Sequence, residues 1–329
     1  MRRREFLIGL GAGAILGPSD AVAQTTSIPV IGFLNSASPA PFVAFVQAFR
    51  EGLSEAGFVD GKNVAIEFRW AEGHYERLPD LAAGLVDRHA TLIVATGGMM
   101  SARAAKAATT TLPVLFLVGM DPVKAGLVAS MNRPGGNVTG VTMQTSAILD
   151  KRLQLLRSLV PKAGTIGLLV NPETDGVQIE IEEIVRVTTE RGLQPVILRA
   201  ASDADFASAF DSAAVLGVKA LLVSADPFFT NRRSQLIKLA AHRSLPAAYP
   251  WREYVESGGL MSYGPKIIDA YRQMGRHAAR ILKGTPPSDL PVELPTKYEF
   301  ALNLRTAKAL GLEIEPNVLA IVDSVIENE

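Results

Sequence analysis

Residues 220–263 read ALLVSADPFFTNRRSQLIKLAAHRSLPAAYPWREYVESGGLMSY, three short apolar runs that each end in a polar or aromatic cluster. Asp226, Pro227, Phe228 and Phe229 follow the first run, Tyr249, Pro250 and Trp251 the second, and Ser262, Tyr263 and Gly264 the third. Short apolar runs bounded by turn formers read as buried strands. In an open α/β sheet a ligand sits outside the carboxyl ends of the strands. The stretch therefore reads as half of a ligand site, and the other half must come from elsewhere in the chain.

Working outward, residues 28–35 (IPVIGFLN) form a strand that ends at Asn35 and Ser36. Pro39 and Pro41 start a helix with Phe42, Phe45, Phe49 and Leu53 on one face, and Gly57 stops it. Residues 63–70 alternate as a strand, 75–89 are amphipathic helix, and 90–96 (ATLIVAT) are a buried strand. Gly97-Gly98 then opens a helix over 99–108. A strand at 112–118 leads through Gly119-Met120-Asp121-Pro122 to a helix expected to reach about 130. A turn cluster at 132–137 precedes one more extended segment, 138–143. This strand–helix alternation requires a parallel sheet covered on both faces.

After Gln144 the pattern begins again: helix 148–159, strand 165–170 ending in Asn171-Pro172, helix 177–191, strand 194–199, and a helix over 203–216 capped by Ser202. The three strands quoted first follow, separated by helices at 231–241 and 252–256. The tail is uneven: a helix at 267–283, a Pro-rich stretch, a strand at 297–304 and a final helical region. The expected architecture is α/β, two Rossmann-like lobes with parallel sheets. One lobe comprises 28–144 plus about 265–294, the other 145–264 plus about 295–329. The chain would cross between them at Gln144, Gly264 and Pro295, a three-segment hinge that keeps the lobes aligned as a cleft opens and closes.

The chain has 329 residues, 48% of them hydrophobic, enough for two cores. Its formal net charge is zero, which speaks against nucleic-acid or anionic-membrane partners. It has no cysteine, which removes disulfides, thiolate chemistry and a cysteine lipid anchor. Residues 1–23 read as a signal peptide: Arg2, Arg3 and Arg4, an apolar run over 6–16, and Ala21-Val22-Ala23 as a cleavage site. Arg3-Arg4-Glu5-Phe6-Leu7 matches a twin-arginine signal, with an ordinary secretory signal as the alternative. Both send the mature chain to the periplasm.

Catalytic signatures are sparse. No two of His74, His89, His242 and His277 have metal-ligand spacing on one helix, and the G-x-S-x-G, H-E-x-x-H and Walker A patterns are absent. Asp121 and Asp226 both follow strands and could pair as carboxylates in a secreted enzyme; Asp-Pro at a strand end also makes Asx turns and helix caps. Binding is better supported. Thr96-Gly97-Gly98 before a helix would offer backbone N–H groups to a carboxylate, unless the glycines serve only a tight turn. Asp121 or Asp226 would hold an ammonium group, and Phe228, Phe229, Trp251 and Tyr263 would wall the pocket. No metal or cofactor is expected.

Four stretches carry a resemblance: FREGLSEAGFVDGKNVAIEFRWAEG (49–73), DPVKAGLVASMNRPGGNVTGVT (121–142), YPWREYVESGGLMSYG (249–264) and RILKGTPPSDLPVELPTKYEFALNLRTAKALGL (280–312). From about residue 28 to 325 the chain resembles ABC-transporter substrate-binding proteins of the tryptophan/tyrosine type, which have the type I periplasmic-binding-protein fold. The resemblance implies an exported, monomeric receptor that catalyses nothing, closes on a small solute and delivers it to a membrane permease with its ATPase. By position it places ligand contacts on Asn35 or Ser36, Thr96, Asp121, Asn171, Asp226 and the turn from Tyr249 to Trp251. A receptor of the same fold feeding a signalling partner is the rival reading.

Overall fold

The computed structural model describes residues 28–145 and 147–327; the signal-peptide reading of 1–23 lies outside the described residues. The first sheet has five parallel strands: β1 (Val30–Asn35), β2 (Ala65–Trp70), β3 (Leu92–Thr96), β4 (Val114–Val118) and β5 (Val138–Thr142), in the order β2-β1-β3-β4-β5. Helices α1 (Val43–Glu55), α2 (Leu78–Asp87) and α3 (Gly98–Ala108) connect the first four strands. All residues of β3, β4 and β5 are buried, as the apolar runs with no alternation require in a sheet covered on both faces.

The second lobe continues with α4 (Leu149–Leu159), β6 (Thr165–Val170), α5 (Val177–Thr189), β7 (Gln194–Arg199), α6 (Asp203–Val215), β8 (Ala220–Val223), α7 (Pro227–Asn231), α8 (Arg233–His242), β9 (Ala247–Tyr249), α9 (Arg252–Glu256) and β10 (Met261–Pro265). Helix α10 (Ile267–Leu282) returns to the first lobe and packs on α1. The chain then supplies β11 (Tyr298–Asn303), α11 (Leu304–Ala309), α12 (Pro316–Leu319) and β12 (Ser324–Ile326) to the second. The second sheet runs β12-β11-β10-β9-β8-β6-β7, with β11 antiparallel to β10 and the other pairs parallel.

The contact between α1 and α10 depends on two missing side chains. A Cβ on Gly52 would stand 1.9 Å from the Arg272 carbonyl oxygen, and one on Gly275 would stand 2.2 Å from that of Phe49. The helices therefore meet backbone to backbone. Beside them Phe45 stacks on Tyr271 at 5.3 Å, so the segment that follows the second crossing is bound firmly to the lobe that begins the chain.

Three expectations are corrected. Residues 122–130 form turns rather than a helix, because Pro122 and the left-handed Gly126 (φ 70°) break the repeat. The helix expected at 231–241 is present as α8, but a separate short helix, α7, precedes it, started by Asp226 and Pro227. The final helical region holds α11 and α12 but is followed by an unexpected short strand, β12, parallel to β11. The Ser202 cap is present as a capping box with Asp205.

In both sheets the strand order reverses once, at β1/β3 and at β6/β8. Those reversals open the crevices where open α/β sheets bind ligands. Here the two crevices face each other.

Candidate functional site

From the first lobe, the β3–α3 turn projects into the space between the lobes. Gly97 caps α3 in the left-handed region (φ 80°) and Gly98 follows at φ 84°. Three side chains fix this turn from below. Asn35 Nδ2 donates to Thr96 Oγ1 at 2.8 Å, Ser36 Oγ donates to the Gly97 carbonyl at 2.7 Å, and Asn35 Oδ1 accepts from the Ala37 N–H at 2.7 Å. No side chain fits at Gly97: its Cβ would lie 2.6 Å from both Asn35 Oδ1 and the Ser36 nitrogen. The first turn of α3, Gly98 to Met100, lines the cavity, and the leading N–H groups of a helix have no partner within it.

From the second lobe, Asp226 caps α7 by accepting the Phe228 N–H at 2.8 Å. Its carboxylate, 2% exposed, also accepts from Thr174 Oγ1, from Asn171 Nδ2 at 3.3 Å and from the Tyr75 hydroxyl at 3.4 Å. Burial pushes the Asp226 carboxyl above the ordinary range, against the pull of those donors. Burial, reinforced by the Asp226 charge, also holds the Tyr75 hydroxyl protonated far above its usual range. Beside this group Ser224 Oγ donates to Glu180 Oε2 at 2.6 Å.

Several contacts tie the lobes together. Tyr75 belongs to the first lobe and Asp226 to the second. A Cβ on Gly98 would lie 3.2 Å from Pro227 Cγ, and Met120 packs against Gly176. Asn231 Nδ2 donates to Ser38 Oγ at 3.3 Å, and Arg103 pairs with Asp175 at 2.5 Å. Two neighbouring spaces remain, of about 50 and 40 Å³, with Gly97, Gly98 and Pro227 lining both. Trp251, Phe42, Tyr271 and Pro227 line the first; Tyr75, Met99, Met100, Met120, Asp226 and Glu180 line the second. Both are far below the roughly 300 Å³ at which small-molecule pockets begin. A solute with an aromatic ring therefore enters only with the lobes apart.

The structure brings Gly97, Gly98, Asp226 and Trp251 to the cavity and sets Asn171 on Asp226. The other expected contacts lie elsewhere. Asn35, Ser36 and Thr96 sit one layer down, their side chains engaged in shaping the Gly97 turn. Asp121 folds onto its own turn, accepting from Val123 and Lys124 N–H at 2.9 and 3.2 Å, so it is no partner for Asp226. Phe228 stacks on Phe206 at 5.4 Å with Arg232 above its ring, and Phe229 is packed into the same core. Tyr249 stacks on Tyr254 at 4.8 Å. Tyr263 stacks on Tyr298 at 6.1 Å because strand alternation turns its ring to the outer face of β10.

At the crossings Gln144 takes a left-handed φ of 42°. Gly264 allows β10 to approach the Pro250 carbonyl, where a Cβ would stand 2.2 Å away. Pro295 follows Glu293, which bridges to β5 at Val141. Sequence reasoning missed Tyr75, Thr174 and Glu180, while Met120, Ser224 and Pro227 lie in strand-end loops it had singled out without being given a contact of their own. Tyr75, Met120 and Thr174 follow β2, β4 and β6, so the strand-end rule already pointed at their loops.

A family model for ABC transporter substrate binding proteins matches residues 27–326. A tyrosine-binding protein of Clostridioides difficile (strain R20291) is 28% identical over 267 residues, 81% of this chain and 76% of that one. Among solved structures, an ABC domain from Streptococcus pneumonia in complex with L-Trp is 27% identical with a TM-score of 0.83, covering 91% of this chain and all of that one. A substrate binding protein with adhesive properties from Clostridium difficile, in its ligand-free, open structure, is also 27% identical over 92% of this chain and all of that one, but its TM-score is 0.66. At equal identity, the lobes here are arranged more like those of the L-Trp complex.

Proposed function

The chain belongs to the family of ABC transporter substrate-binding proteins, and from that premise we propose that it captures an amino acid with an aromatic or otherwise apolar side chain between its lobes. The observation that carries this reading is the pairing of two unlike ends in one cavity. The first turn of α3 at Gly97-Gly98 faces the buried acidic group around Asp226. A helix N-terminus suits the carboxylate of an amino acid, and the acidic group suits its ammonium. Trp251, Met99, Met100 and Met120 supply apolar, deformable walls between. The names of the two relatives, one tyrosine-binding and one solved with L-Trp, point to the same solute class.

The lobes in this reading are 28–144 plus about 265–294 and 145–264 plus about 295–329, hinged at Gln144, Gly264 and Pro295. Opening admits the solute, and closure forms the surface that the permease recognises, so binding energy shifts a population rather than lowering a reaction barrier. The mature chain, cut after Ala23, works as a monomer in the periplasm, with a membrane permease and its ATPase as partners. No helix among the described residues is long and apolar enough to cross a membrane, in keeping with a receptor that leaves its leader behind.

Mass spectrometry of the small molecule released on denaturing the purified protein tests the reading directly, backed by a thermal-shift screen. Amino acids should raise the melting temperature as RT ln(1 + [L]/Kd), and Trp251 fluorescence should change with them. A screen in which neutral sugars protect the fold and no amino acid does would sink the proposal.

A further inference from the structure

Glu180 is the group the sequence gives no reason to single out. It sits early in α5 and lines the same cavity as Asp226, Tyr75 and Thr174. The two carboxylates differ in what they have left to offer. Asp226 already accepts four hydrogen bonds, from Phe228 N–H, Asn171 and Tyr75 on Oδ1 and from Thr174 on Oδ2, which leaves capacity on Oδ2 alone. Among the described residues Glu180 accepts from Ser224 alone. A new donor entering this cavity therefore finds Glu180 more open than Asp226.

A second, independent observation concerns Arg152 on α4, which is fully buried. Its Nε donates to the Tyr263 carbonyl at 3.0 Å, while Nη1 and Nη2 have no hydrogen-bond partner. Glu180 is the charge that acts on it most strongly, yet among the described residues neither group forms an ion pair within 4.0 Å. Burial lowers the Arg152 pKa to about 10 and raises that of Glu180, the response of charges whose partners only partly compensate them. The local count is two carboxylates against one guanidinium, and among the described residues no Lys, Arg or His lines the cavity. A pocket with more carboxylate than guanidinium charge is completed by a proton or by a cation, and the raised Asp226 and Glu180 carboxyls favour the proton while no cation is present.

We propose that Glu180 makes the direct contact to a ligand ammonium, with Asp226 as the second carboxylate of the seat and Arg152 balancing the remaining charge. The inference rests on the amino-acid reading above and sharpens it, since it names the feature of the solute that the site reads. An ammonium offers three donors on a compact centre, matching the acceptor capacity left on Glu180 and on Asp226 Oδ2 in the cavity they share. A solute of the same shape without the ammonium would set its own charge, or no charge, against the buried Asp226 and part-buried Glu180 carboxylates. The selection is thus negative as well as positive.

The test is calorimetric titration of the mature protein with three compounds that share one ring: L-tyrosine, tyramine and 3-(4-hydroxyphenyl)propionate. The proposal expects ammonium-bearing members to bind and the propionate to fail. Glu180→Gln should weaken binding of those members by roughly ten- to a hundredfold, the size of a charge-assisted hydrogen bond. Because that variant leaves Arg152 without its counter-charge, the double variant Glu180→Gln/Arg152→Met is titrated beside it. It should recover melting temperature and still bind weakly. Binding of tyramine but not L-tyrosine upholds the ammonium seat and overturns the amino-acid reading. Unchanged affinity in the folded double variant, equal binding of the propionate, or no binding by either ammonium compound overturns the seat itself.

Discussion

The Tyr75 hydroxyl donates to Asp226 Oδ1 at 3.4 Å, joining residues 151 positions apart and on opposite lobes. Asn171 Nδ2, from the second lobe, reaches the same hydroxyl at 3.3 Å. Both bonds exist only while the lobes are together, so they bias the protein toward closure before any solute is held. Tyr75→Phe keeps the ring, 9% exposed, and deletes the hydroxyl. A hydrogen bond worth about 1 kcal/mol changes the closed-to-open ratio about fivefold. The ligand-free variant should show a larger radius of gyration by small-angle scattering than the wild type. Identical scattering curves would mean that the bond follows closure without contributing to it.

Much of this arrangement is legible in the chain, and the part that is not has a physical reason. Strand and helix alternation, with Gly97-Gly98, Asn171 and Asp226 at strand ends, led to both sheets and to the two facing crevices. The aromatic residues misled. Phe228 follows β8 and Tyr249 ends β9, whereas Tyr263, expected after its strand, lies in the middle of β10; which face each ring takes depends on packing partners such as Phe206, Tyr254 and Tyr298. Glu180 and Arg152 were hidden for another reason. In QIEIEEIV the acid at 180 has the same local pattern as those at 182 and 183, and only the tertiary fold puts one of them on Ser224. Strand β12 is three residues long, too short to show a period.

Adjacent glycines should separate folding from closure. Gly97→Ala places a Cβ 2.6 Å from Asn35 Oδ1 and the Ser36 nitrogen, all within the first lobe, at a φ of 80°. It should cost stability, about 1–3 kcal/mol, and leave the ligand-free scattering profile of the folded protein unchanged. Gly98→Ala shares the left-handed strain but directs its Cβ to 3.2 Å from Pro227 Cγ on the other lobe. That added clash is relieved by opening, so this variant alone should scatter as a more extended particle. Equal profiles for the two variants would show that Gly98 is required for the turn only.

The last expectation concerns pH. Glu253, in the first turn of α9 directly after Trp251, is part-buried, and its carboxyl is raised to about 7, first by burial and then by the nearby Glu256 and Glu299 charges, against the pull of Arg233. Its unfolded value is near 4.5. Between these limits the folded protein holds a proton that the unfolded chain has lost, so stability falls as pH rises. The contribution is complete below about pH 4.5 and gone above about pH 7, and amounts to at most about 3 kcal/mol. Asp226 and Glu180 are raised in the same direction, so Glu253→Gln should flatten the slope without abolishing it. Urea unfolding at pH 5, 6 and 7 measures this: the wild type should lose more stability across the series than the variant. Parallel curves would place the Glu253 carboxylate in solvent and remove α9 from the acid-sensitive part of the second lobe.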